Sequence, residues 1–209
     1  IYQNFAIKTD GTEVPLNSFD SIFIKSDTII NGQRYFAFFY RLSKNIIYQG
    51  GGITTIPHYL RDSAGYIVEP ANKNYKKFLS TTNFKDTLSV DTFYLDDYFK
   101  KTPFAVTKSK MERDIIHTQV PAGSFDAIIR NEHCNWYIYK EEYNPKTLDN
   151  YVQTAQPMLF AKNVGLIKRT YYYYQNDVKN GAGTKNEIRL IRYRVKEEWI
   201  NNGFNEKDK

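Results

Sequence analysis

Apolar residues recur along this chain in short alternating runs, each closed by a turn that carries glycine. The second half holds the clearest pair. One run goes from Ile115 through Pro121-Ala122-Gly123-Ser124 to Arg130, the other from Leu159 through Asn163-Val164-Gly165 to Arg169. Alternation with a period of two marks a strand half-buried on a sheet. In the first run Phe125, Ala127 and Ile129 share one face, and Asp126, Ile128 and Arg130 the other. Earlier, Asn31-Gly32 separates Thr28-Ile29-Ile30 from Tyr35 to Tyr40. Both turn residues tolerate positive φ, so a type I′ hairpin is predicted. Tyr35, Ala37 and Phe39 lie on one face and Phe36, Phe38 and Tyr40 on the other. A strand apolar on both faces belongs at the centre or inside of a curved sheet. Asp62 to Gly65 predict another turn, ahead of Tyr66 to Glu69.

The remaining elements follow from the same patterns. Asp10-Gly11 predicts a turn after Phe5-Ala6-Ile7, and Pro15 with Asn17-Ser18 a loop. Tyr75 to Leu79 and Phe93 to Phe99 are apolar clusters whose periodicity fits a short helix or an irregular strand. Trp136 to Lys140 reads as a separate strand, and Thr147 to Thr154 as a helical turn in a lid or insertion. Tyr171 to Tyr174 alternate faces on a strand. A final strand, Ile188 to Lys196, presents Arg192, Arg194 and Lys196 on a basic face. Strands follow one another through short turns with no βαβ spacing. The expected fold is mainly β: one large antiparallel, strongly curved sheet, an open or half barrel, with one or two short helices. A β-sandwich is the alternative. Residues 1–209 form one domain, with a loose polar tail from about 201.

Composition supports this picture. Of 209 residues 16% are aromatic, with 18 Tyr and 14 Phe, types that favour strands. The net charge of +6 is spread among acids, which points to solubility rather than to a nucleic-acid partner. Cys134 is the single cysteine, so no internal disulfide forms. No run approaches the roughly 20 apolar residues of a membrane-spanning helix. The chain begins at Ile1 rather than at methionine, so an upstream segment is expected to have been removed.

Candidate chemistry is sparse. His58, His117 and His133 lack metal-ligand spacing, so neither a metal nor a cofactor is expected. His133 and Cys134 are strand neighbours whose side chains diverge, which makes Cys134 a small buried residue rather than a nucleophile. Ser124 lacks the glycine two residues on that a nucleophile elbow needs. Gly50-Gly51-Gly52 lacks the lysine of a P-loop. Asp96-Asp97, Glu141-Glu142 and Glu197-Glu198 are adjacent pairs, not carboxylates facing across a cleft. The aromatic surplus carries more. Phe36, Phe38, Phe125, Ile129, Trp136, Tyr171 and Tyr173 are the candidate lining of an apolar groove, against the plainer reading of core packing. Outward-facing tyrosines would instead stack on sugar rings or proteins.

Three stretches also carry a resemblance. Asp27 to Tyr35 resembles an opening hairpin of many secreted and lipid-anchored Bacteroidetes proteins, and Tyr59 to Asp62 through Gly65 to Glu69 the hairpin that follows it. Val120 to Ala127, and Phe160-Ala161 with Val164 to Lys168, resemble the paired hairpins of envelope proteins with a LolA/LolB-like curved sheet. The resemblance implies an exported protein of the periplasm or outer membrane of a Gram-negative bacterium. It implies membrane contact only through an N-terminal lipid anchor outside this chain. It also implies a half-barrel whose concave face takes a lipid or another hydrophobic ligand. The expected function is therefore non-enzymatic binding in the envelope. A surface module for glycan or protein is the first alternative, and a hydrolase the second.

Overall fold

Turn residues explain where the strands begin and end. In the computed structural model Asn31 (φ 52°) and Gly32 (φ 74°) make the predicted two-residue turn, and Ala64 (φ 49°) and Gly65 (φ 83°) make its counterpart. Asn163 (φ 62°) and Gly165 (φ 91°) turn the chain in the second half, where Pro121-Ala122 separates the paired residues Val120 and Gly123. The structure describes residues 1–8, 10–41, 57–71, 75–94, 103–112, 115–137, 151–174 and 183–194. Among these are the strands β1 (Tyr2–Ile7), β2 (Glu13–Ile30), β3 (Gln33–Arg41), β4 (His58–Ser63), β5 (Tyr66–Pro70), β6 (Tyr75–Ser80), β7 (Thr87–Tyr94), β8 (Pro103–Met111), β9 (Ile116–Val120), β10 (Gly123–Tyr137), β11 (Tyr151–Ala161), β12 (Gly165–Tyr174) and β13 (Gly183–Leu190).

All ladders are antiparallel, in the order β6-β5-β4-β3-β2-β1-β13-β12-β11-β10-β8-β7, with β9 beside the first part of β10. The ends of this order, β6 and β7, are neighbours in sequence, and side chains tie them together. Lys76 Nζ lies 2.7 Å from Asp91 Oδ2, and Lys77 Nζ and the Tyr66 hydroxyl donate to Asp86 Oδ2 at 2.9 and 2.8 Å. The sheet thus curls into a nearly closed barrel.

Bulges supply the curl. Register shifts interrupt the β1–β2, β2–β3, β5–β6, β7–β8 and β11–β12 ladders. A bulge adds a residue to one strand, raises the twist and re-aims a side chain. The extra residues include Phe78, Leu88 and Ile167, each of which packs in an apolar cluster. One cluster joins Tyr2, Ala127, Leu159, Ile167, Ile188 and Leu190. The other joins Leu79, Leu88 and Met111 to Phe78, Ile128 and Phe160.

Four expectations are corrected. Pro15 and Asn17-Ser18 belong to β2, not to a loop. Among the described residues that part of β2 pairs with β1 and lies outside the β2–β3 ladder, which starts at Ser21, so proline's missing N–H is tolerated at an edge-like position. The long excursion of β2 opposite Asn4 is held by the Asn4 amide, which donates to Ser18 O and Asp20 Oδ2 at 3.3 and 3.1 Å. Trp136 belongs to the same strand as Gly123, because β11 pairs without a shift from Ala127 to Tyr137. Residues 151–154 of the expected helical turn stand in β11, and no helix occurs among the described residues. The final strand stops at Leu190, because its partner β1 starts at Tyr2; beyond it Ile191 N and Arg192 N both turn to Ile1 O.

Candidate functional site

Ladder register brings an arginine and a glutamate of β10 to one face. Arg130 and Glu132 are two residues apart; Arg130 pairs with Met111 on one side and Met158 on the other, and Glu132 with Ser109. Met158 in turn pairs with Arg169 of β12. Arg130 is 6% exposed. Its Nη2 donates to Glu132 Oε1 at 2.7 Å and to Ser109 Oγ at 3.1 Å, and its Nη1 approaches Met158 Sδ at 3.3 Å. Its Nε has no hydrogen-bond partner. Arg169 Nη2 reaches the other oxygen of the same carboxylate, Glu132 Oε2, at 3.5 Å. Burial pushes the Arg130 guanidinium below its ordinary pKa, and Glu132 opposes that shift. A guanidinium stays charged under either influence.

The opposite wall of the barrel closes over this cluster. The Phe78 ring of β6 lies 4.7 Å from Arg130 Cζ and meets Phe160 edge-on with ring centroids 5.9 Å apart. His58 Nδ1 donates to Glu69 Oε1 of β5 at 3.0 Å, a hydrogen bond that raises the His58 pKa. The charge of Arg169 lowers it, and Glu69 acts on Arg130 in return.

The sequence-derived lining falls into separate places. Phe36 and Phe38 stand on β3 opposite Leu60 and His58, half-buried, with Arg34 over the Phe36 ring. Phe125 and Ile129 pack together against the cluster of Ala127 and Leu159, where Phe125 also meets Tyr193. The backbone of Trp136 pairs with Val152, Tyr171 with Asn186 and Tyr173 with Thr184, while their side chains lie outside the described residues. Gly50 to Gly52, Asp96-Asp97, Glu141-Glu142 and Glu197-Glu198 also lie outside them.

Cys134 is buried as expected and accepts from Thr107 Oγ1 at 3.3 Å; burial pushes its thiol pKa up, the reverse of an activated nucleophile. No group of three metal-ligating residues occurs among the described residues. The Arg130 cluster escaped the sequence reading. Its one signal was an Arg-x-Glu pair directly after the apolar run Ala127-Ile128-Ile129.

No family model and no curated protein match the chain. Solved structures do. A protein from Bacteroides fragilis described as exported, with a YmcC-like fold, superposes with a TM-score of 0.51 at 12% identity over 93% of this chain and 94% of its own. The likeness shows a shared fold. A lipoprotein from Parabacteroides distasonis superposes with a TM-score of 0.49 at 11% identity over 92% of this chain and 94% of its own. The resemblance to exported Bacteroidetes proteins is matched at the level of fold.

Proposed function

We propose that this chain is an exported, non-enzymatic envelope protein that holds a hydrophobic ligand inside its curled sheet. The observation that carries the reading is the closure of β6 and β7, which sets Phe78 of one wall against Phe160 of the other. A curled sheet with apolar side chains on its inner side is a common ligand container. The fold shared with an exported protein supports the location. The suppressed Cys134 thiol argues against thiol catalysis. In this reading Phe36 and Phe38 line the container on β3, next to Leu60 and His58.

Native mass spectrometry of protein purified gently from the envelope tests both parts. An adduct of lipid mass, lost on denaturation, supports the container. Recovery from the cytosolic fraction sinks the location. A bare mass that persists after lipid is added back sinks the ligand, and turns attention to glycan and protein binding through exposed residues such as Tyr75 and Tyr193.

A further inference from the structure

We propose that the β2–β3 hairpin docks the protein on the surface of an anionic lipid bilayer, through Phe23, Ile24, Lys25 and Ile29. The contact uses the outside of the molecule. It rests on the envelope location alone and is independent of any ligand held inside the sheet. Large apolar side chains concentrate on this hairpin. Of the nine that are exposed among the described residues, four stand on β2: Phe19, Phe23, Ile24 and Ile29. An exposed apolar cluster on one element marks an interaction surface. Residues 23–29 and 31–34 are all exposed, so this part of the hairpin stands clear of the barrel on both faces.

Two features select a bilayer over a folded partner. The first is that both faces are apolar. Phe23 lies opposite Phe39 with the rings stacked, their centroids 5.8 Å apart. Its strand neighbour Ile24 points the other way, opposite Phe38, and Ile29 lies on that second face, opposite Arg34. A folded partner lying on one face leaves the other in water. The soft boundary between headgroups and acyl chains takes a thin hairpin edge-on and covers both. The second feature is charge. Lys25 is the extra residue of the bulge between Ile24 and Ser26; it is exposed, and its Nζ lies 5.8 Å from the centre of the Phe39 ring. Asp27 is the one acid between Ser21 and Arg34, and it pairs with Arg34, which leaves the Lys25 charge for the headgroups. A cation beside apolar side chains fits an anionic headgroup layer above acyl chains. A two-stranded hairpin cannot satisfy all its backbone groups in hydrocarbon, so it rests at the boundary and does not cross.

Co-sedimentation of the whole chain with vesicles tests the proposal. One set is neutral phosphatidylcholine, the other phosphatidylcholine mixed with anionic phosphatidylglycerol. Binding to the mixed vesicles is expected, weaker on the neutral ones and falling as salt rises. Phe23→Ser and Ile29→Ser should each weaken binding about tenfold, roughly the worth of one buried apolar side chain. Lys25→Gln should weaken binding to the mixed vesicles about fivefold, the worth of one cation at such a surface. Urea midpoints near that of the parent protein establish that the variants fold. Ile29, the most exposed of the four, carries the test if loss of the Phe23 ring unfolds the hairpin. Binding to neither vesicle, or binding that Ile29→Ser and Lys25→Gln leave unchanged, overturns the proposal. Equal binding to the two vesicles overturns the headgroup contact. A dimer that forms without lipid and is broken by Ile29→Ser makes the hairpin a contact between copies and overturns the bilayer. None of these outcomes touches the container reading, which involves the interior.

Discussion

Arg130 is the residue whose surroundings are hardest to replace. It is nearly fully buried, and its closest anion is Glu132. Removing one partner of a buried ion pair leaves the other charge without compensation, which costs more than the pair contributes. Glu132→Gln should therefore lower the unfolding free energy by about 3 kcal/mol, read from urea denaturation. Adding Arg130→Met to that variant should restore much of the loss, because a methionine needs no counter-charge. Glu187 is a second buried acid, 3% exposed, set among Lys168, Lys185 and Arg189. Burial alone would raise its pKa, but the hydrogen bond from Arg189 and the charge of Lys168 outweigh it, and the net shift is downward from 4.5. A depressed pKa contributes stability above the unfolded value and loses it as pH falls through the folded value. The urea midpoint should drop on acidification below about 4.5, and Glu187→Gln should flatten that drop while lowering stability at neutral pH. His58 has the opposite sign. Its pKa is raised from 6.5 chiefly by Glu69, so its contribution is full below 6.5 and fades as pH rises through the folded value. At these residues the sequence was only partly legible. Cys134 was readable as a buried thiol from its strand setting, but Arg130 and Glu132 look like any polar pair until Met158, Ser109 and Phe78 are brought around them.

Turns and bulges act at the scale of elements. Gly32 and Gly65 both have positive φ, 74° and 83°, but their surroundings differ. A Cβ at Gly32 meets nothing within 4 Å, whereas one at Gly65 would lie 2.6 Å from Thr82 Oγ1. Gly32→Ala should cost about 1 kcal/mol for the backbone strain alone, and Gly65→Ala clearly more, compared by thermal unfolding. The bulge residue Phe78 is half-buried and bridges β6 to Arg130 and Phe160. Phe78→Ala should cost about 3 kcal/mol, the low end for a phenylalanine in a core. The hairpins were legible because their determinants are local. Asn31-Gly32 needs nothing distant to prefer its turn. The strand ends were not legible, because a ladder stops where its partner stops: β13 ends at Leu190 opposite Tyr2, although the alternation continues through Tyr193. The same holds for β2, where a partner strand overrode the local signal of Pro15.

For the whole molecule, closure depends on packing more than on ion pairs. The Lys76–Asp91 pair that joins β6 to β7 is 39% and 40% exposed on its two sides. Solvent screens such a pair, so Lys76→Ala should change stability by less than about 1 kcal/mol and leave the fold intact by circular dichroism. Alternation and turn chemistry determined by themselves that this chain is mainly antiparallel β built of hairpins, because those preferences act over a few residues; one curled sheet rather than a sandwich was decided by the tertiary structure. Only the tertiary structure decided that β6 returns to β7, that Phe125 and Ile129 pack in one cluster while Phe36 and Phe38 stand on β3 outside it, and that two arginines share Glu132 in the interior. Those are contacts between residues far apart in the chain, set by ladder order and by where the bulges fall, and no local pattern encodes either.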